Sequence, residues 1–180
     1  PTFGTHNVYN ALAAIGVAAV LGIPISSIQQ GLARFPSPKM RLQISRSHSG
    51  RILINDAWNA NPTAMKAGLL VLSHLGAKRP KIAVLGDMLE LGNLTVIAHQ
   101  KIGKFLTQLP LDQLITIGSK ARIIAQAARA NGMPASKIFS YSTLEQVYQH
   151  IVKRTPSSAI IYFKASRKLH LEKLVRKLMK

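Results

Sequence analysis

Apolar residues recur along this chain at two spacings, one helical and one of short runs. Over residues 6–22, Val8, Leu12, Ile15 and Ala19 fall at helical intervals, which predicts a helix ended by Gly22. Gly22-Ile23-Pro24 reads as a turn, and Ser26 or Ser27 opens a second helix through Leu32. Pro36-Ser37-Pro38 breaks that helix and predicts a linker. Two β-type runs, 42–46 and 51–54, flank Ser47-His48-Ser49-Gly50 and read as a hairpin. Met65, Leu69 and Leu72 then mark one face of a helix over about 63–75. Lys81-Ile82-Ala83-Val84-Leu85-Gly86 is a short apolar run of the kind found in buried parallel strands. Beyond it the pattern predicts a helix at 95–108, a strand at 114–118 and a helix at 119–130. A strand at 137–140, a helix at 143–153, a strand at 159–163 and a helix at 169–179 follow. From residue 51 the order is therefore strand, helix, strand, helix to the end. That order predicts an α/β domain with a mostly parallel, Rossmann-like sheet and flanking helices, preceded by two helices.

Between the run at 51–54 and the helix that follows it stands Asn55-Asp56-Ala57-Trp58-Asn59-Ala60-Asn61-Pro62. Open α/β sheets put their ligands at such carboxyl ends of strands. Pro62 suits the first helical turn and Asn61 its N-cap. These residues also suit an ordinary turn, but a Trp beside one of only six acidic residues is unusual there.

Composition narrows the possibilities. The chain has 180 residues, 47% of them apolar, enough for a core, and no run approaches the roughly 18 apolar residues of a membrane span. Phe3-Gly4-Thr5-His6-Asn7 lacks the pattern of a secretory signal. The first residue is Pro1 rather than Met, so the chain is expected to be part of a longer protein. Without cysteine, disulfides and thiolate chemistry are excluded. Twenty-four Lys+Arg against six Asp+Glu give a formal charge of +18, which favours anionic partners. Nucleic acid, phosphorylated small molecules and acidic membranes all fit that charge, as does plain solubility.

Several chemistries are absent. Gly118-Ser119-Lys120 has P-loop residue types in the wrong order, and no Gly-x-Gly-x-x-Gly occurs. The histidines lack metal-ligand spacing, and no Ser-His-Asp order stands out. Phe3, Tyr9, Phe35 and Trp58 make no basic-aromatic platform for RNA.

The remaining candidates are polar residues at loops and helix ends. Asn7 and Asn10 lie three apart on one helical face, and two amides so placed can read a purine edge. They equally suit capping and burial. Arg41, just past the linker, can clamp a phosphate bidentately or simply be a solvated arginine. Asp87 and Glu90 share the loop Leu85-Gly86-Asp87-Met88-Leu89-Glu90-Leu91-Gly92, as a site or a capped turn. Lys164 and Ser166, in Phe163-Lys164-Ala165-Ser166-Arg167, meet a helix start that suits a carboxylate or phosphate.

Taken in order, these stretches resemble the Mur ligases, ATP-dependent amide-forming enzymes of peptidoglycan assembly. His6-Asn7-Val8-Tyr9-Asn10-Ala11-Leu12-Ala13-Ala14 resembles the family's HNxxNAxAA helix, late in its central ATPase domain. Asn55 to Pro62 resembles the DSYNANP form of the member that adds D-alanyl-D-alanine to UDP-N-acetylmuramoyl-tripeptide. Leu85 to Gly92, with His99 seven residues on, and Lys164-Ala165-Ser166-Arg167 resemble that same member.

The resemblance implies that 1–38 ends the central ATPase domain and 39–180 is the C-terminal, Rossmann-like domain. It implies that Asn7 and Asn10 contact adenine, Arg41 the phosphates and Asp56 the ribose. Asn59, Asn61, Lys164 and Ser166 would lie near the incoming dipeptide. Asp87, Glu90 and His99 form a further motif. The implied reaction makes an acyl phosphate from the tripeptide carboxylate and ATP, which the dipeptide amine attacks. The family's P-loop, Mg²⁺-binding Glu and His, and modified Lys lie upstream of the matched region, so this stretch alone is expected to be inactive. Ala165 stands for a usual Gly, Asn93 for a usual acidic residue and Trp58 for a common Tyr. A bacterial, cytoplasmic monomer that binds no nucleic acid and has no membrane segment is expected. The competing readings are a basic α/β module for nucleic acid, and a Mur ligase that adds a different amino acid.

Overall fold

In the computed structural model, which describes residues 4–36, 38–76 and 78–180, the chain separates into two units. One ends at Lys39 and the other is Met40–Lys180. Phe3 and Ser37 lie outside the described residues, as does the side chain of His6.

The first unit is helical. Helix α1 is Thr5–Val20 and helix α2 is Ile25–Arg34. Val8, Tyr9, Leu12, Val17 and Val20 on α1 are exposed, and α2 buries no residue. Gly22, at φ 69, lets the chain turn back so that Ile23 N–H reaches the Ala18 carbonyl. Ser26 and Ser27 do not open α2. Pro24 takes the cap position with φ −58, and its carbonyl accepts from Ser27 and Ile28 N–H, so the helix already starts at Ile25.

The second unit is a six-stranded sheet in the order β1-β2-β6-β3-β4-β5. The strands are β1 Gln43–Arg46, β2 Ile52–Asn55, β3 Lys81–Gly86, β4 Gln113–Ile117, β5 Ile138–Tyr141 and β6 Ile160–Lys164. Edge strand β1 pairs antiparallel with β2, Gln43 facing Asn55, and every other pairing is parallel. Between the strands run α3 Pro62–His74, α4 Thr95–Leu106, α5 Ala121–Ala130 and α6 Leu144–Arg154, and α7 Leu171–Met179 closes the chain. This is the mixed, mostly parallel α/β sheet that the alternating pattern predicts.

Successive strand residues point to opposite faces, so the sheet separates two cores. Ile54, Ala83, Leu85, Leu114 and Tyr162 pack under Met65, Leu69, Ile102 and Ile124 of α3, α4 and α5. Leu53, Ile82, Val84, Ile115 and Phe163 pack against Val147 and Ile151 of α6 and Leu174 and Leu178 of α7. Both faces being covered explains why β3 and β6 are buried along their whole length.

Two boundaries differ from the pattern for a local reason. Leu42 is not in β1: its φ is 50, a left-handed conformation outside the strand region, while its side chain is buried in the core. Ser119 does not start α5, because Gly118 at φ 107 turns the chain first. The hairpin turn is held from afar. Arg51 donates to Ser49 Oγ at 2.5 Å and to the Thr155 carbonyl at 2.6 Å, placing a cation at the C-terminal end of α6.

Candidate functional site at the carboxyl ends of the strands

The insertion of β6 between β2 and β3 brings together loops that are far apart in sequence. The ladder of β2 and β6 continues one step beyond the strand, with Asp56 N–H donating to the Phe163 carbonyl at 2.9 Å. That step sets Asp56 beside Lys164, whose Nζ donates to Oδ2 at 2.5 Å and to the Asp56 carbonyl at 3.3 Å. Tyr162 Oη donates to the same Oδ2 at 2.8 Å, and Leu42 N–H donates to Oδ1 at 3.2 Å. The pair is buried, with side-chain exposures of 4% for Lys164 and 11% for Asp56. Burial, and then the Asp56 charge, push the Tyr162 hydroxyl well above its usual pKa, so it stays a donor. A carboxylate has about four acceptor sites and an ammonium three donors, so among the described residues Asp56 keeps one acceptor free and Lys164 one donor.

The rest of the octapeptide is a capped strand-to-helix turn. Asn61 Oδ1 accepts from Ala64 N–H at 2.8 Å, with Pro62 at the first helical position. Asn59 Oδ1 accepts from Ala60 N–H at 2.8 Å. Both are exposed and use only their carbonyl oxygens in these bonds. Trp58 is exposed, donates its N–H to the Met40 carbonyl at 3.2 Å, and lies under the Arg167 guanidinium, 5.8 Å from its ring centre. Arg41 is exposed between Met40 and Leu42, two non-glycine residues with φ of 58 and 50.

Asp87 serves the neighbouring loops. Its Oδ1 accepts from Ala121 N–H at 2.7 Å, so a residue at the end of β3 caps α5. A side chain on Gly118 would collide with that carboxylate, its Cβ falling 2.6 Å from Asp87 Cγ. Ser166 holds the same loop twice: Oγ accepts from Leu89 N–H at 2.8 Å and N–H donates to the Asp87 carbonyl at 3.0 Å. Glu90 is exposed with φ 63. His99 is fully buried. Its Nε2 accepts from Met88 N–H at 3.1 Å, so Nδ1 carries the proton and donates to the Thr95 carbonyl at 2.7 Å.

The structure thus gathers Arg41, Asp56, Lys164, Asp87, Ser166 and His99 around the carboxyl ends of β2, β6 and β3. Asn7 and Asn10 belong to the first unit. There they do share one face of α1, Asn10 Nδ2 donating to Asn7 Oδ1 at 3.3 Å, with Asn10 exposed rather than buried and Gly4 rather than Asn7 at the cap. Tyr162 was invisible as a site residue, because in sequence it is one more apolar position of a strand. The exposed Arg41 guanidinium, with no carboxylate against it among the described residues, suits a phosphate, and the spare acceptor of Asp56 suits a sugar hydroxyl. Mg²⁺ does not fit in the same way: among the described residues no three His, Asp or Glu are placed to hold a metal ion. Nor is any described helix long and apolar enough to cross a membrane.

His99 sets a pH dependence. Burial lowers its pKa below the usual 6.5. The unfolded chain therefore takes up a proton near 6.5, while the folded chain does so only at lower pH. Stability from neutral His99 is complete above that value and is lost as the pH falls below it. His150, also depressed mainly by burial, adds to the same loss. His99→Gln, which can still accept from Met88 N–H, is expected to lose less stability than the parent chain between pH 7.5 and 5. Urea midpoints at the two pH values measure this, and equal losses would contradict it.

Known proteins share this sequence and this fold. Residues 40–167 match the family described as Mur ligase, glutamate ligase domain. The chain is 35% identical over 179 residues to UDP-N-acetylmuramoyl-tripeptide–D-alanyl-D-alanine ligase of Bacillus subtilis, covering 99% of this chain and 39% of that protein. It is 29% identical to the enzyme of the same name from Escherichia coli, covering 89% of this chain and 36% of that one. A crystal structure of MurF from Acinetobacter baumannii superposes with a TM-score of 0.85 at 33% identity, over 99% of this chain and 38% of that one. MurF from Thermotoga maritima in complex with ADP shares the fold, with a TM-score of 0.80 at 22% identity over 98% of this chain and 38% of that one. The chain spans 39% or less of the length of these relatives. Its sequence motifs, sheet order and family match agree: the chain belongs to the Mur ligase family.

Proposed function

We propose that this chain is the C-terminal part of a MurF-type ligase, which joins D-alanyl-D-alanine to UDP-N-acetylmuramoyl-tripeptide at the expense of ATP. The observation that carries the reading is likeness over 99% of the chain, at 35% identity, to a ligase of that name. In this reading residues 1–38 end the central ATPase domain and 39–180 are the C-terminal domain. Asn7 and Asn10 hold the adenine, Arg41 the phosphates, and Asp56 a ribose hydroxyl through its spare acceptor site. Asn59, Asn61, Lys164 and Ser166 lie near the dipeptide, whose carboxylate suits the Lys164 ammonium and the amide NH₂ groups. Asp87 and His99 brace the loop that carries Glu90. The residues that would hold Mg²⁺ are assigned to the upstream ATPase part, where the ion would supply charge neutralisation at the phosphates. The enzyme works as a monomer in the bacterial cytoplasm. The formal charge of +18 fits a nucleic-acid module too, but the family match does not favour it.

The test is phosphate release by the complete ligase with tripeptide nucleotide and D-alanyl-D-alanine. Release should require both substrates, and Arg41→Ala should raise the KM for ATP about tenfold, as loss of a charged hydrogen bond implies. Release that ignores the dipeptide would sink the proposal.

A further inference from the structure

The segment around Arg41 is held in an unfavourable backbone conformation. Met40 and Leu42 both have left-handed φ angles, 58 and 50, which cost energy for residues with side chains. Strain of this kind persists only where neighbours over-determine it, and here the neighbours can be named. Met40 is held by Gln43 Oε1, which accepts its N–H at 3.2 Å, and by Trp58 N–H, which reaches its carbonyl at 3.2 Å. Leu42 is held by its buried side chain and by the bond from its N–H to Asp56 Oδ1. That last bond requires the carboxylate to face Leu42. Its other oxygen is fixed by Lys164 and by the Tyr162 hydroxyl at 2.8 Å.

The Tyr162 hydroxyl sits in a notch. Gly68 of α3 lies directly above it, and a Cβ at Gly68 would collide with the hydroxyl and stand 2.8 Å from ring atom Cε2. Helix α3 therefore leaves room for a polar atom in an otherwise apolar layer of Met65, Leu69 and Leu72. Burial keeps that hydroxyl protonated, which makes it a permanent donor to Asp56.

We propose that Tyr162 is a positioning residue for Arg41: through Asp56 and Leu42 N–H, its hydroxyl fixes the strained segment 40–42 that presents the guanidinium. The proposal deepens the ligase reading, since Arg41 is assigned there to the ATP phosphates. Tyr162 touches no substrate in it. It acts by orienting Asp56, whose own contact with the ribose is separate.

Tyr162→Phe keeps the ring that fills the layer under α3 and removes only the hydroxyl. Two readouts on the complete ligase separate the proposal from the reading on which it rests. The first needs no substrate: the rate of tryptic cleavage after Arg41, referred to cleavage after the exposed Lys78. The second is the KM for ATP, measured for Tyr162→Phe, for Arg41→Ala and for the pair. The expected result is cleavage after Arg41 faster by about tenfold with Lys78 unchanged, the loss of one hydrogen bond to a charged group. The KM for ATP should rise in Tyr162→Phe, and in the Arg41→Ala background the same change should raise it by less than in the parent, the remainder being what reaches the ribose through Asp56. Unchanged cleavage after Arg41 overturns the proposal. So does accelerated cleavage with an unmoved KM for ATP where Arg41→Ala alone moves it. If Arg41→Ala leaves the KM unmoved, the phosphate assignment of Arg41 fails instead, and the cleavage rates still decide whether Tyr162 fixes the segment.

Discussion

Gly103→Ala is expected to destabilise the second unit by about 1–3 kcal/mol, the usual cost of forcing extra atoms into a filled core. The sign is what makes the result informative. In an exposed helix the same change stabilises by about 1 kcal/mol, because alanine loses less backbone freedom than glycine. Gly103 lies in α4 where that helix crosses α5 at close range. An added Cβ would collide with the Ile124 carbonyl and stand 2.6 Å from Ala127 Cβ and 2.9 Å from Ala128 N. Two of those three neighbours are backbone, which cannot rotate away. The helices would have to separate, and Ile102 and Ile124, both fully buried between them and the sheet, would lose their packing. The urea midpoint of the variant reads the effect. A midpoint equal to or above that of the parent would show that α4 and α5 can slide apart freely.

Lys164→Met is expected to cost more, about 3–5 kcal/mol, because removing one partner of a buried ion pair strands the other. An exposed pair would contribute at most about 1 kcal/mol, so burial decides the size of the effect. Here the exposures of 4% and 11% and the 2.5 Å contact place Lys164 and Asp56 in the buried class. Stranded Asp56 would keep its bonds from Tyr162 and Leu42, but neither carries a positive charge. The double change Asp56→Asn with Lys164→Met should recover much of the loss, since it removes both charges and leaves a neutral amide. Thermal or urea unfolding of the two single variants and the double variant closes the cycle. Losses that simply add would mean that the pair is not coupled. In the complete ligase Asp56→Ala should lower both stability and kcat/KM, the second by more than the roughly 1 kcal/mol of an average hydrogen bond. Stability lost at unchanged kcat/KM would leave Asp56 with a structural role alone.

Much of this architecture is readable from local patterns. Alternation of short apolar runs with helical spacing marks which segments are strands, because a strand covered on both faces is apolar along most of its length. β3 is buried throughout and apolar from Ile82 to Gly86, with Lys81 at its first position. Asn61-Pro62 announces the start of α3 for reasons confined to the first turn of a helix. The candidate residues Asp56, Asp87, Lys164 and Ser166 are legible as polar positions just past apolar runs. Errors occur where a backbone angle overrides the pattern, as at Leu42, whose apolar side chain is in the core while its φ excludes it from β1.

What the sequence by itself determined is the set of elements, their order and the polar residues at their ends, all properties of short-range spacing. Only the tertiary structure decided which ends meet. Nothing local places β6 between β2 and β3, since that depends on which strands bury each other's faces. Yet that neighbour relation sets Lys164 against Asp56 across 108 positions, and Ser166 against Leu89 across 77. It also turns Tyr162, an unremarked apolar strand position, into a hydroxyl donor under a carboxylate, and makes Gly68 and Gly103 matter through neighbours that lie far off in the chain.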